Sequence, residues 1–187
     1  NGVAIESGEM SGKTEHAIKK AMEERIDYVL RSIDDFLELL PQNDEELNRV
    51  ISRRVTPEYV ETLDENQIFV FGSNILGHHR GSAAGQAVRD FGAVWGVAAG
   101  PQGRAYAIPT VSLKANDVKL IEPYVQQFAL YARNNPEKEF LVTAIGCGNA
   151  GFTPQQVAPF FRDCISLDNV HLPKSFWLVL EAKDLIP

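Results

Sequence analysis

From Gln67 onward, short apolar runs alternate with helical patterns, and no other feature of the chain constrains its fold as much. "IFVFGSN" (68–74), "RAYAIPT" (104–110), "EFLVTAI" (139–145) and "FWLVL" (176–180) read as strands. Between them, "AAGQAVRDF" reads as a short helix capped by Ser82 and ending near Phe91. Asn116 opens a helical pattern to Asn134, with Ile121, Val125, Phe128 and Ala132 on one side and Pro123 limiting its first turn. Thr153-Pro154 starts a further helix. Strands alternating with helices imply an α/β fold: a mostly parallel sheet covered on both faces, hence three layers.

Before Gln67 the pattern differs. Ile18, Met22, Ile26, Leu30, Ile33, Leu37 and Leu40 recur at spacings of three and four, one stripe of a long amphipathic helix that Pro41 ends. Asp44–Arg54 reads as a second helix with Leu47, Val50 and Ile51 as its apolar side, and Thr56-Pro57-Glu58 as a further helix start. Residues 1–54 are therefore expected to form a helical extension and residues 55–187 an α/β domain. The extension's stripe has the look of ordinary core, packing on its own domain or on another subunit. A homo-oligomer contact through residues 14–54 would be such a packing, whereas docking of a foreign protein partner through them is the rarer use of such a stripe. Within "SGEMSGKTEHA" (7–17), Gly8 precedes Gly12-Lys13-Thr14 by only three residues, one short of a phosphate-cradling P-loop. With only a short polar segment before it, this stretch reads as a leader into the helix.

Charge divides along the same line. Residues 1–66 hold 16 acidic and 8 basic side chains, residues 67–187 hold 9 and 10. An acidic lobe beside a near-neutral one speaks against nucleic acid as a partner, which needs a clustered basic surface. No apolar run is long enough to span a membrane and no signal-peptide pattern is present. Cys147 and Cys164 do not make a disulfide framework, so the expected compartment is the cytoplasm.

Of the 14 glycines, eight fall between Gly72 and Gly103. Two glycine-rich segments sit at strand-to-helix transitions, "GSNILGHHRGS" (72–82) and "GCGNAGFTP" (146–154). In parallel sheets ligands bind beyond the carboxyl ends of the strands. Glycine lets backbone N–H groups approach an anion, and a helix N-terminus favours phosphate. Two such loops point to a ligand with a diphosphate between them.

"FVFGSN", "GHHRGSAAGQAV", "YAIPT" and "AIGCGNAGF", in this order over about residues 55–180, resemble a divergent macrodomain, the ADP-ribose-binding fold, in its phage- and bacteria-associated branch. The resemblance implies a macrodomain-like three-layer sandwich that binds ADP-ribose or a related nucleotide diphosphate. It also implies, if the protein is an enzyme, hydrolysis of an ADP-ribosyl linkage or of an ADP-ribose derivative. By this likeness Asn74 contacts the distal ribose, and Gly77, His79 and Gly81 belong to the loop beside it. Gly146 through Phe152 grip the diphosphate, with Phe152 against a ribose. Asn74 and His79 are the candidate catalytic residues. The candidate ligand-binding set is Gly72, Ser73, Asn74, Gly77, Arg80, Gly81 and Ser82 with Gly146, Cys147, Gly148, Asn149, Ala150, Gly151 and Phe152. The family's early Gly-Asp-Ile opening, which carries an adenine-contacting Asp, has no counterpart here, and Asp64 is the nearest acidic residue. A non-catalytic nucleotide-sensing or protein-interaction module is the alternative reading.

Other residues read more plainly. His78 and His79 serve as general bases, as anion partners or as a solvent-facing pair. They lack a third ligand for a metal, and no metal or cofactor is implied. Arg80 either neutralises a phosphate or is a solvated surface charge. Cys147 reads as a small buried filler rather than a nucleophile, although the nearby helix N-terminus would lower its pKa. Cys164, Trp95, Trp177 and Phe140 read as core, and His171 as a surface turn residue.

Overall fold

The computed structural model describes residues 19, 20, 22, 23, 25, 26, 54–112 and 117–182. The chain divides into two compact units, Asn1–Leu40 and Pro41–Pro187. In the first, the described residues are helical. The rest of the expected 14–40 stripe, the 44–54 helix up to residue 53 and the Gly8–Thr14 stretch lie outside the described residues.

In the second unit the elements run β1 (Gln67–Asn74), α1 (Ser82–Asp90), β2 (Gly100–Gln102), β3 (Ala105–Val111), α2 (Ile121–Arg133), β4 (Glu139–Val142), α3 (Pro154–Val157), β5 (Val170–His171) and α4 (Lys174–Ala182). Turns of 3-10 helix at Val118–Leu120 and Ala158–Cys164 abut α2 and α3. The five strands form one sheet in the order β2-β3-β1-β4-β5. All pairs are parallel except β2 with β3. The fold is thus α/β with a mostly parallel sheet.

Side chains alternate across the sheet, as strand geometry demands. Phe69 and Phe71 of β1, Ala105 and Ala107 of β3 and Leu141 of β4 face α1, whose Ala84 and Ala87 are small enough for close approach. On the other face Tyr106 and Phe140 meet Phe128 of α2 at ring separations of 5.1 and 5.5 Å. Helices therefore cover both faces. Because β1 lies between β3 and β4, the chain reverses direction across the sheet at β1, and a crevice opens above its carboxyl end. Among the described residues no helix is long and apolar enough to cross a membrane.

Several local expectations fail for identifiable reasons. "FWLVL" is not a strand but the body of α4, with Phe176 through Leu180 all buried. A five-residue run that is apolar throughout has no period to distinguish strand from helix. Pro173 starts the helix, accepting from the N–H groups of Phe176 and Trp177, and the neighbouring Val170–His171 takes the edge position in the sheet. Thr56-Pro57-Glu58 starts no helix. The Thr56 N–H and hydroxyl donate to the carbonyls of Leu172 and His171, so the would-be cap ties the segment alongside β5. His171 is a half-buried residue of β5 rather than a turn residue, and burial lowers its pKa. Trp95 is not core but 49% exposed, whereas Trp177, Phe140 and Cys164 are buried. Gly81 rather than Ser82 occupies the cap position of α1.

Candidate functional site

The crevice above β1 is a cleft of about 220 Å³ lined by residues from three neighbouring strand ends. Gly72, Ser73 and Asn74 come from β1, Thr110 and Val111 from β3, and Ala144, Ile145 and Gly146 from the segment after β4. Gly81, Ala83 and Ala84 at the start of α1, His78, and Gly148, Asn149 and Ala150 complete it. The two glycine-rich loops meet here. A Cβ on Gly81 would lie 3.3 Å from Asn149 Nδ2, and one on Gly72 would lie 3.7 Å from the Gly146 nitrogen.

The first loop is shaped by side chains. Asn74 Oδ1 accepts from the N–H groups of Leu76 (3.0 Å) and His78 (3.2 Å), and Nδ2 donates to the His78 carbonyl at 2.7 Å. An Asn amide has two N–H hydrogens, so one remains for the cleft that Asn74 lines. Gly77 has φ +68, and a Cβ there would sit 2.5 Å from the Gly96 carbonyl carbon. Its carbonyl accepts from the Gly96 N–H at 3.0 Å. Gly77 is thus the hinge by which the loop lies against the 94–97 turn, and it stands outside the cleft lining.

His79 is 4% exposed and lies outside the cleft lining. Its Nε2 is 3.1 Å from the Val97 carbonyl and its Nδ1 is 3.4 Å from Ser73 Oγ. A carbonyl only accepts, so Nε2 carries a proton and donates to it. The edge of the ring meets Phe71, with centroids 5.1 Å apart. His79 braces the loop from beneath, and a general-base role does not follow from this placement. Gln102 completes the brace, accepting from the Val94 N–H at 2.6 Å and donating to the same Val97 carbonyl at 3.1 Å.

Arg80 also stands away from the cleft lining. Its guanidinium lies 5.4 Å from the Trp95 ring centroid, and the other partner of that indole is His78, stacked at 4.9 Å with 17° between planes. His78 itself lines the cleft. Gly81 enters α1 in extended conformation and contributes no capping side chain, and the first turn carries no acidic residue. The first N–H groups of a helix lack intrahelical partners and carry partial positive charge, which here border the cleft at Ala83 and Ala84.

The second loop is closed by its own backbone. The N–H groups of Cys147, Gly151 and Phe152 donate to the carbonyls of Ala144, Gly148 and Gly146 at 3.1, 2.9 and 3.0 Å. None of these three lines the cleft, and the Phe152 N–H serves to close the loop. Gly146 has φ +79, and a Cβ there would stand within 3.2–3.3 Å of Ile121, Phe152 and Val157 side-chain atoms. The helix that follows is no anion site. α3 spans only Pro154–Val157, Pro154 has no N–H, and the Thr153 N–H donates to Gln156 Oε1 at 2.9 Å. Burial pushes the Cys147 thiol up to about 12 from 9.0, the opposite of the lowering expected from the nearby helix start. It is a protonated filler at neutral pH.

Of the candidate residues, the fold brings Gly72, Ser73, Asn74, Gly81, Gly146, Gly148, Asn149 and Ala150 into one cleft. Gly77, His79, Arg80, Cys147, Gly151 and Phe152 stand outside its lining. Ser82 is the first residue of α1. Thr110, Val111, Ala83, Ala84, Ala144 and Ile145 line it without having been singled out. For Thr110 a signal existed, since it ends the "YAIPT" strand, and strand ends neighbouring a ligand loop border the same crevice. Among the described residues no Asp or Glu lines the cleft, and no group of three or more His, Cys, Asp or Glu is arranged to hold a metal. No family model, curated protein or solved structure matches the chain.

Proposed function

We propose that the protein binds ADP-ribose or a related nucleotide diphosphate in the cleft between residues 72–82 and 146–150, as a macrodomain-like module. The observation that carries this reading is the convergence of Asn74, the open start of α1 and Asn149 on one cavity above the carboxyl end of the central strand. Backbone N–H groups and amides hold a diphosphate well when no carboxylate opposes it. Among the described residues of the lining, His78 is the only ionisable side chain.

That same lining favours binding without turnover. Hydrolysis at the distal ribose needs a base or a positioned water, and the buried, doubly engaged His79 offers neither. If linkage hydrolysis occurs, His78 is the titratable group that the described lining offers to it.

Calorimetry with ADP-ribose tests the reading. Asn74→Ala is a poor control, because Asn74 builds the first loop. Gly148→Asp is better, since Gly148 lines the cleft and a Cβ there meets nothing within 4 Å, so a carboxylate is added at the lining without a clash. The variant is expected to keep the wild-type melting temperature and lose at least tenfold in affinity, on the order of the 1.4 kcal/mol that a misplaced charge readily costs. Equal heats for the two proteins would place the ligand elsewhere. Release of ADP-ribose from a modified substrate, followed in parallel, separates turnover from binding.

A further inference from the structure

The cleft is small for the ligand proposed to fill it. Its volume of about 220 Å³ falls below the roughly 300–1,000 Å³ usual for a pocket that encloses a drug-sized ligand. A nucleotide whose diphosphate occupies it must extend beyond it. A second cavity, of about 380 Å³, adjoins the cleft at the start of α1, where Ala83 lines both. Thr143 of this cavity is followed directly by Ala144 of the cleft. A larger cavity of about 480 Å³, bordered by Tyr59 and His171, shares no residue with the cleft.

The second cavity leaves the cleft on the side away from the first loop. Beyond Asn74 that loop runs toward β3 and β2, where the Ile75 N–H donates to the Val111 carbonyl at 3.1 Å and Gln102 holds the 94–97 turn. Thr143 follows β4, on the opposite side of β1. The segment before β1 that borders the cavity lacks regular structure, yet it is fixed. Val60 is 7% exposed, packed in the core with α1, and its carbonyl accepts from Gln86 Nε2 at 2.6 Å.

Charge divides the two compartments. No carboxylate is among the described residues of the cleft lining, whereas Glu58 and Glu61 border the second cavity against one cation, Arg89. Such a balance disfavours a phosphate, while carboxylates accept from hydroxyl and amino groups. Val60, Phe69 and Ala83 add apolar lining, and the exposed Tyr59 an aromatic one. We propose that the second cavity is a nucleoside subsite, taking the uncharged base and its ribose from a nucleotide whose diphosphate lies in the cleft. The inference rests on the nucleotide reading and adds the direction in which the ligand runs: past Ala83 with its nucleoside, leaving the Asn74 side of the cleft to its other end.

The full chain is titrated by calorimetry with ADP-ribose, with ADP, which keeps the nucleoside and the diphosphate, and with inorganic pyrophosphate, which lacks the nucleoside. ADP is expected to bind within about tenfold of ADP-ribose, and pyrophosphate at least about tenfold more weakly than ADP. The ratio of ADP to pyrophosphate affinity is then followed in variants, because a ratio cancels the general effect of lost negative charge on an anion. It is expected to fall on the order of tenfold in Glu58→Gln/Glu61→Gln and about threefold in Tyr59→Ala, at unchanged melting temperature, since all three residues are exposed. A ratio unchanged in both variants, with ADP-ribose still bound, would overturn the subsite and leave the nucleotide reading intact. So would a ratio that rises in Glu58→Gln/Glu61→Gln, or pyrophosphate binding as tightly as ADP. No heat with any of the three ligands would overturn both.

Discussion

The two loops that form the cleft reach similar ends by different means. The first, from Gly72 to Gly81, takes its shape from side chains. Asn74 fixes its turn, and His79 and Gln102 tie it to a second turn that is distant in sequence. The second, from Gly146 to Phe152, closes on itself through backbone hydrogen bonds and two glycines at positive φ. A loop built on distant ties moves only when those ties break. A loop built on local conformation is sensitive at individual glycines and indifferent elsewhere. The cleft therefore has one wall fixed by the tertiary structure and one fixed by the local chain.

Alkali is the severest way to break this arrangement. Burial raises the thiols of Cys147 and Cys164 to about 12 from 9.0 and the hydroxyl of Tyr106 to about 12 from 10.0. The unfolded chain gives up these protons from about pH 9 upward, while the folded chain keeps them. Stability is therefore intact below pH 9 and falls as pH rises toward 12, by up to about 1.4 kcal/mol per pH unit for each group. Cys147, only half-buried, contributes less than Cys164. Urea midpoints taken across this range should decline steadily, and Cys147→Ser should make the decline shallower. A flat profile between about pH 8 and 11 would mean that the thiols are not held away from water.

Next in size is the hinge of the first loop. Gly77→Val combines a left-handed backbone with a Cβ driven to 2.5 Å from Gly96. The expected loss is roughly 2–5 kcal/mol, read as a shift in denaturant midpoint at constant slope. Because the 94–97 turn is braced by Gln102 as well as by Gly77, it has nowhere to retreat. A loss below about 1 kcal/mol would show that the two turns are not locked together.

The same contrast governs what could be read from the chain alone. Alternating strands and helices announced the parallel sheet, because their periods are local. The second loop was legible for the same reason, as Gly146, Gly148 and Asn149 lie within four positions of one another. The braces of the first loop were not. Nothing in sequence reveals that Gln102 will meet the backbone of Val94 and Val97, or that His79 will turn inward while His78 turns out. Trp95 reads as core because large aromatic residues usually are, and only the fold places it on the rim. The "FWLVL" run reads as a last strand, because full burial erases the period that would reveal a helix.

Glycine-to-alanine changes in the second loop give the smallest effects and the finest resolution. Gly146→Ala meets three side chains within 3.3 Å at positive φ and should cost roughly 1–3 kcal/mol. Gly151→Ala shares the positive φ of +78 but meets nothing within 4 Å, so backbone strain of about 1 kcal/mol is all that is expected. Gly148→Ala has neither penalty and should fall within about 0.5 kcal/mol of wild type. The order matters more than the sizes. If Gly148→Ala proved as costly as Gly146→Ala, the loop would be pinned by something other than its own backbone, and the distinction between the two walls would fail.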